Sequence, residues 1–181
     1  MTNLFARGWR TEMMLFMLAG LLLLPGCSPL SDRAQVFDAA GKPVGPLLRS
    51  DIATTPIVRF RTADDTAAFH VWQAGLVADG MLYYESAECS GLPFLDELST
   101  VSPGHLSTVL SATAIGAPGR TVYVADAYGW TRSIRVGSFS LNEKCYFTSP
   151  SPFDKRVVPA RPVADLDVQF TPPFTIQSDG S

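Results

Sequence analysis

Beyond residue 26, no stretch of this 181-residue chain carries apolar residues at sustained helical spacing. Short alternating or apolar runs recur instead about every 8–14 residues, punctuated by Gly, Pro, Asp and Asn turns. Val58 and Phe60 alternate with Arg59 and Arg61, and Phe69 and Val71 with His70 and Trp72. Arg120–Val124 alternates after the turn Gly116-Ala117-Pro118-Gly119, as hairpin partner of the apolar run Val109–Ile115. Period-two alternation lets each strand bury one face. It predicts a mainly β fold, an antiparallel sandwich or partly open barrel. Only the Pro-, Gly- and Ser-containing stretch around residues 94–110 leaves room for a short helix.

Other strands follow the same logic. Ala34–Phe37 leads into the turn Asp38-Ala39-Ala40-Gly41, where Gly41 is free to take positive φ. Lys42–Leu48 returns, and Pro43 and Pro46 restrict it to an edge or irregular strand. Asp79-Gly80 is a tight-turn signal ahead of Met81–Tyr84. Ile134-Arg135-Val136 starts a strand running towards Phe139 and Leu141, and Asn142-Glu143-Lys144 makes the bend before Cys145-Tyr146-Phe147. Pro150–Phe153 reads as a loop, and Val168–Ile176 as a terminal strand interrupted by Pro172-Pro173.

The amino terminus has a separate logic. Arg7 and Arg10 form a positive region, and Met13–Leu24 is an apolar run of the length of a secretory signal core. It is shorter than the roughly 20 residues that cross a bilayer comfortably. Leu24-Pro25-Gly26-Cys27 then resembles the bacterial lipobox. The resemblance implies cleavage before Cys27 and acylation of its sulfur and new amine; two or three acyl chains anchor firmly, where one is marginal. An ordinary signal peptide or an uncleaved anchor, with Cys27 incidental, is the competing reading. Ser28, unlike an aspartate there, points to the outer membrane if the cell has two. The expected organisation is a signal peptide over 1–26, a tether over 27–33, one β-rich exported domain over 34–177 and a tail over 178–181.

Removing residues 1–26 leaves 155 residues and moves the formal charge from −3 to −4. That length suits one domain with a real core. A mildly acidic surface lacks the basic footprint of a nucleic-acid binder. Cys89 and Cys145 remain in the exported body, and two cysteines in an oxidising compartment pair most economically with each other. No CxxC spacing or nearby histidine favours a metal site, so no metal or cofactor is expected.

Three segments together resemble an exported bacterial domain of unknown function. These are Val36–Gly45 (VFDAAGKPVG), Tyr84–Gly91 (YESAECSG) with Pro93-Phe94-Leu95, and Phe170-Thr171-Pro172-Pro173-Phe174. The resemblance implies export and a similar fold. It brings no catalytic residue with it.

Candidate chemistry is sparse. His70, beside Trp72 in a strand pattern, reads as a structural residue, and His105, after Pro103-Gly104, as a loop residue. There is no Gly-x-Ser-x-Gly elbow. The acidic pairs Asp64-Asp65, Glu85 with Glu88, Asp96-Glu97 and Asp165 with Asp167 fit no EF-hand spacing. Tyr128-Gly129-Trp130 lies at a turn. Its rings either cap the end of the core, the usual fate of large rings, or present an exposed pair for a protein or glycan partner. The sequence therefore predicts a membrane-anchored envelope lipoprotein with a non-enzymatic binding or structural domain. An envelope hydrolase with a cleft not recognisable from sequence is the alternative.

Overall fold

The computed structural model describes residues 34–48, 55–100, 106–126 and 128–178. The segment expected to be a signal peptide (1–26), the whole of the expected tether (27–33) with Cys27, and His105 lie outside the described residues. In chain order the strands are β1 (Gln35–Phe37), β2 (Pro43–Leu48), β3 (Ile57–Arg61), β4 (Thr66–Trp72), β5 (Gly75–Val77), β6 (Leu82–Tyr84) and β7 (Phe94–Asp96). After a 3-10 turn over Glu97–Thr100 and helix α1 (Leu106–Ser111) come β8 (Thr113–Gly116), β9 (Thr121–Ala125), β10 (Arg132–Val136), β11 (Ser138–Leu141) and β12 (Lys144–Phe147). The chain closes with β13 (Phe153–Asp165), helix α2 (Leu166–Gln169) and β14 (Thr175–Gln177).

Two antiparallel sheets result. The first has the order β14-β1-β2-β3-β4-β5. Its inner face presents Val36, Val58, Phe60, Phe69, Val71 and Leu76, which pack with Ile115, Val122 and Val124 of the second sheet. Leu166, Phe170 and Phe174 close the same core, with Phe60 edge-on to Phe170 at 5.7 Å between centroids. Each such ring or branched chain contributes about 1.5–3 kcal/mol by leaving water. On the outer face of β4, Ala68 meets Ile57 and Leu110 of α1.

The second sheet, β12-β11-β6-β7-β13-β9-β8, curls around β13. One edge of β13 pairs with β7 at Val157–Pro159. Its other edge pairs first with β10 and then with β9, which take Phe153–Val157 and Ala160–Asp165. Because β10 runs through Gly137 into β11, β11 pairs with β6, and β6 with β7, these strands close a ring. Tyr83, Phe94, Ile134, Val136 and Val157 fill it. Gly137 marks the bend, where a Cβ would lie 2.6 Å from the Glu85 and Ser86 carbonyl oxygens.

The mainly β expectation and the β8–β9 and β11–β12 hairpins hold. Three local readings change. The apolar run from Val109 splits into the end of α1 and β8, because Thr113 Oγ1 donates to the Val109 carbonyl and accepts from Ala68 N. Asp79-Gly80 makes no hairpin; Gly80 instead bridges Ala114 in parallel and carries the chain from one sheet to the other. Strand β2 takes the irregular form that its prolines allowed: it lies inside the sheet, its register with β1 shifts at Val36/Phe37, and only Leu47 and Leu48 pair with β3. Val168–Ile176 divides into α2, capped by the Asp165 side chain, and β14. The thirteen-residue β13 carries Pro159 and Pro162, which masked it in the sequence.

Candidate functional site

Strands β9 and β10 lie along the same edge of β13, and a short step would join them. Asp126 N still donates to the Pro159 carbonyl at 2.8 Å, and Arg132 re-enters opposite Val157. Between these points the chain leaves the ladder. The Asp126 carboxylate accepts from Tyr128 N at 3.0 Å, and its carbonyl accepts from Gly129 N at 2.9 Å, which folds the excursion into an Asx-type turn. Gly129 rests on Pro159, where a Cβ would meet Cδ at 2.7 Å. With the glycine facing the sheet, both flanking rings face outward. Tyr128 is 94% exposed and Trp130 89%. Of the two readings the sequence left open, the rings do not cap the core and are exposed. The glycine between two aromatics was the sequence signal for this orientation, but it is readable only once Pro159 is known to lie beneath it.

Cys89 and Cys145 form a disulfide with their Cα atoms 5.9 Å apart. It ties the Glu85–Gly91 loop to β12. Ser86 organises that loop: its Oγ donates to the Ser90 carbonyl at 2.8 Å and accepts from Ser90 N at 3.0 Å. Ser138 Oγ, fully buried, donates to the Ser86 carbonyl at 2.7 Å and accepts from Cys89 N at 2.8 Å. Cys89 sits at φ +50 and Gly91 at φ +93. The hydroxyls of this motif are thus occupied in holding a turn.

The other two motif segments meet in space. Asp38 accepts from Ala40 N and Lys42 N through Oδ1 and from Thr171 N through Oδ2 at 3.1 Å. Ala39 N donates to the Thr171 carbonyl, and the Lys42 ammonium lies 4.9 Å from the Phe170 ring centroid. Neither spacing nor composition announced this junction, because its partners are remote in sequence.

His70 Nε2 lies 3.1 Å from Asp79 Oδ2, and its Nδ1 is buried without a partner. Four of the eight carboxylates singled out in the sequence are engaged with basic groups. Asp65 pairs with Arg161, Glu85 with Arg132, Asp96 with Lys155 and Glu97 with Arg156. Lys155 also lies 4.9 Å from the Tyr83 ring centroid. Burial opposes the charge on Lys155, but the hydrogen bond and charge of Asp96 together with the Tyr83 hydroxyl outweigh it and hold the ammonium pKa above its usual value. Burial likewise pushes the Tyr83 phenol up. This cluster is therefore a charged, hydrogen-bonded closure of the ring of strands. Among the described residues, no three His, Cys, Asp or Glu side chains gather as metal ligands.

Comparison with family models, curated proteins and solved structures gives no match to this chain.

Proposed function

We propose that this chain is an envelope lipoprotein, acylated at Cys27, whose β domain is a non-enzymatic contact module. Its contact surface is the Tyr128–Trp130 turn, and its partner is a component of the envelope. One observation carries the reading: the excursion between β9 and β10 is unnecessary for connecting two strands on one edge, and its product is a pair of exposed rings. Large exposed aromatics are the residue type that dominates contact energies elsewhere. The lipobox resemblance at Leu24–Cys27 supports the anchor.

The anchor is tested by [3H]palmitate labelling of the expressed chain. Label that disappears in Cys27→Ala supports it, and an unlabelled wild type removes it. The contact surface is tested by placing a photo-crosslinking residue at position 128 in intact cells. Adducts to envelope lipid, protein or glycan support it, whereas no adduct above the level seen at exposed Thr175 sinks it. The hydrolase alternative has one observation in its favour, the His70–Asp79 contact. It predicts hydrolysis of envelope esters or glycans that His70→Ala abolishes.

A further inference from the structure

We infer that the Tyr128–Trp130 turn docks into the interfacial layer of the same bilayer that holds the chain. The inference rests on the Cys27 anchor and names the partner of the contact surface.

Three features favour lipid over a pocketed ligand. First, at 94% and 89% exposure neither ring lines a recess. Glycan and small-molecule sites are concave and bury most of their ligand; this turn is the part that would insert, not the part that would receive. Second, its chemistry suits a boundary between water and hydrocarbon. Tyrosine and tryptophan each combine an apolar body with a polar tip, and both concentrate at bilayer interfaces. The tip Tyr128-Gly129-Trp130-Thr131 carries no ionisable acid or base at neutral pH. Asp126, the nearest carboxylate, is turned back to accept from Tyr128 N. Inserting the tip therefore buries no charge, the expensive step in entering a membrane.

Third, the tether is short. Seven peptide steps separate Cys27 from Ala34, the first described residue. At full extension they reach about 25 Å. A domain of this size has a radius of gyration of about 15 Å, so the tether confines it to the layer of water next to the bilayer, where exposed turns meet the interface at a raised effective concentration.

The test expresses the chain with Trp72→Phe; cleavage before Cys27 removes Trp9, so the acylated protein keeps Trp130 as its only tryptophan. The acylated protein is reconstituted into mixed vesicles of phosphatidylethanolamine and anionic phosphatidylglycerol. A second preparation carries nitroxide-labelled acyl chains. Docking predicts a blue-shifted Trp130 emission, quenching by the nitroxide lipid and protection from aqueous acrylamide. In Tyr128→Ala the ratio of quenched to unquenched Trp130 should fall about tenfold, as expected from losing one of two buried rings. Protein that floats with the vesicles while Trp130 stays acrylamide-accessible and unquenched overturns the docking and leaves the anchor standing. Protein that neither floats nor takes palmitate overturns both. Crosslinks from position 128 to a protein alone, with no lipid quenching, overturn docking in favour of a protein partner.

Discussion

Asp38 is 5% exposed, and burial by itself would push its carboxyl up. The N–H groups of Thr171, Lys42 and Ala40, together with the Lys42 charge, more than offset this and hold it below the usual carboxylate range. A carboxylate lowered in the folded state stabilises fully above its unfolded pKa of about 3.9, and the contribution fades as pH falls through the lower folded value. The urea midpoint of the wild type should therefore drop as pH is taken from about 5 to below about 3. Asp38→Asn should flatten that drop, because an amide does not titrate there. A second residue-scale prediction concerns Gly45, at φ +157, where a Cβ would fall 2.0 Å from the Arg59 carbonyl oxygen. Gly45→Ala should destabilise by about 3 kcal/mol or more, read from denaturant unfolding. Neither effect was legible locally. Gly45 lay inside the expected Lys42–Leu48 strand and Asp38 in an ordinary turn, and neither showed its constraint, because part of what holds each comes from another strand or another end of the chain.

At the scale of elements, the β11–β12 hairpin illustrates how a turn can do a strand's work. Asn142 and Glu143 adopt φ +45 and +72, the geometry of a tight two-residue hairpin turn. The Asn142 amide then both accepts from Ala78 N and donates to the Ala78 carbonyl, each at 3.0 Å. It stands in for a missing strand neighbour just past β5. Arg120 reinforces the same junction by pairing with Glu143 and donating to the Leu76 carbonyl. Asn142→Gly keeps the turn and loses the two bonds, which should cost about 2 kcal/mol. Asn142→Ala should cost about 1 kcal/mol more, because alanine resists the left-handed backbone. Equal losses in the two variants, by urea titration, would show that the bonds and not the backbone matter. The bend at Asn142–Lys144 was visible in the sequence; the docking of its side chain onto a remote strand was not.

At the scale of the molecule, the Cys89–Cys145 bond closes a loop across the second sheet, with a sequence separation of 56. Chain entropy assigns such a loop about 4 kcal/mol of stabilisation. Reduction, or Cys89→Ser with Cys145→Ser, should lower the thermal midpoint by about 8–16 °C, measured by calorimetry. An unchanged midpoint would mean that the ring of strands holds the loop without the bond. Much of the plan at this scale was already readable. Alternation at Ile57–Arg61, Ala68–Gln73 and Arg120–Val124 determined the β class, and two cysteines in one domain pointed to their own pairing. Those are local facts, since alternation and residue chemistry are carried by each segment alone. Only the tertiary structure decided that β10 and β11 would close a ring around Val136 and Val157, that Asp38 would meet Thr171, and that Tyr128 and Trp130 would face outward. Each depends on which faces and edges come together, a choice made by burial and hydrogen bonding between segments far apart in the chain. No single segment contains the free energy of that choice.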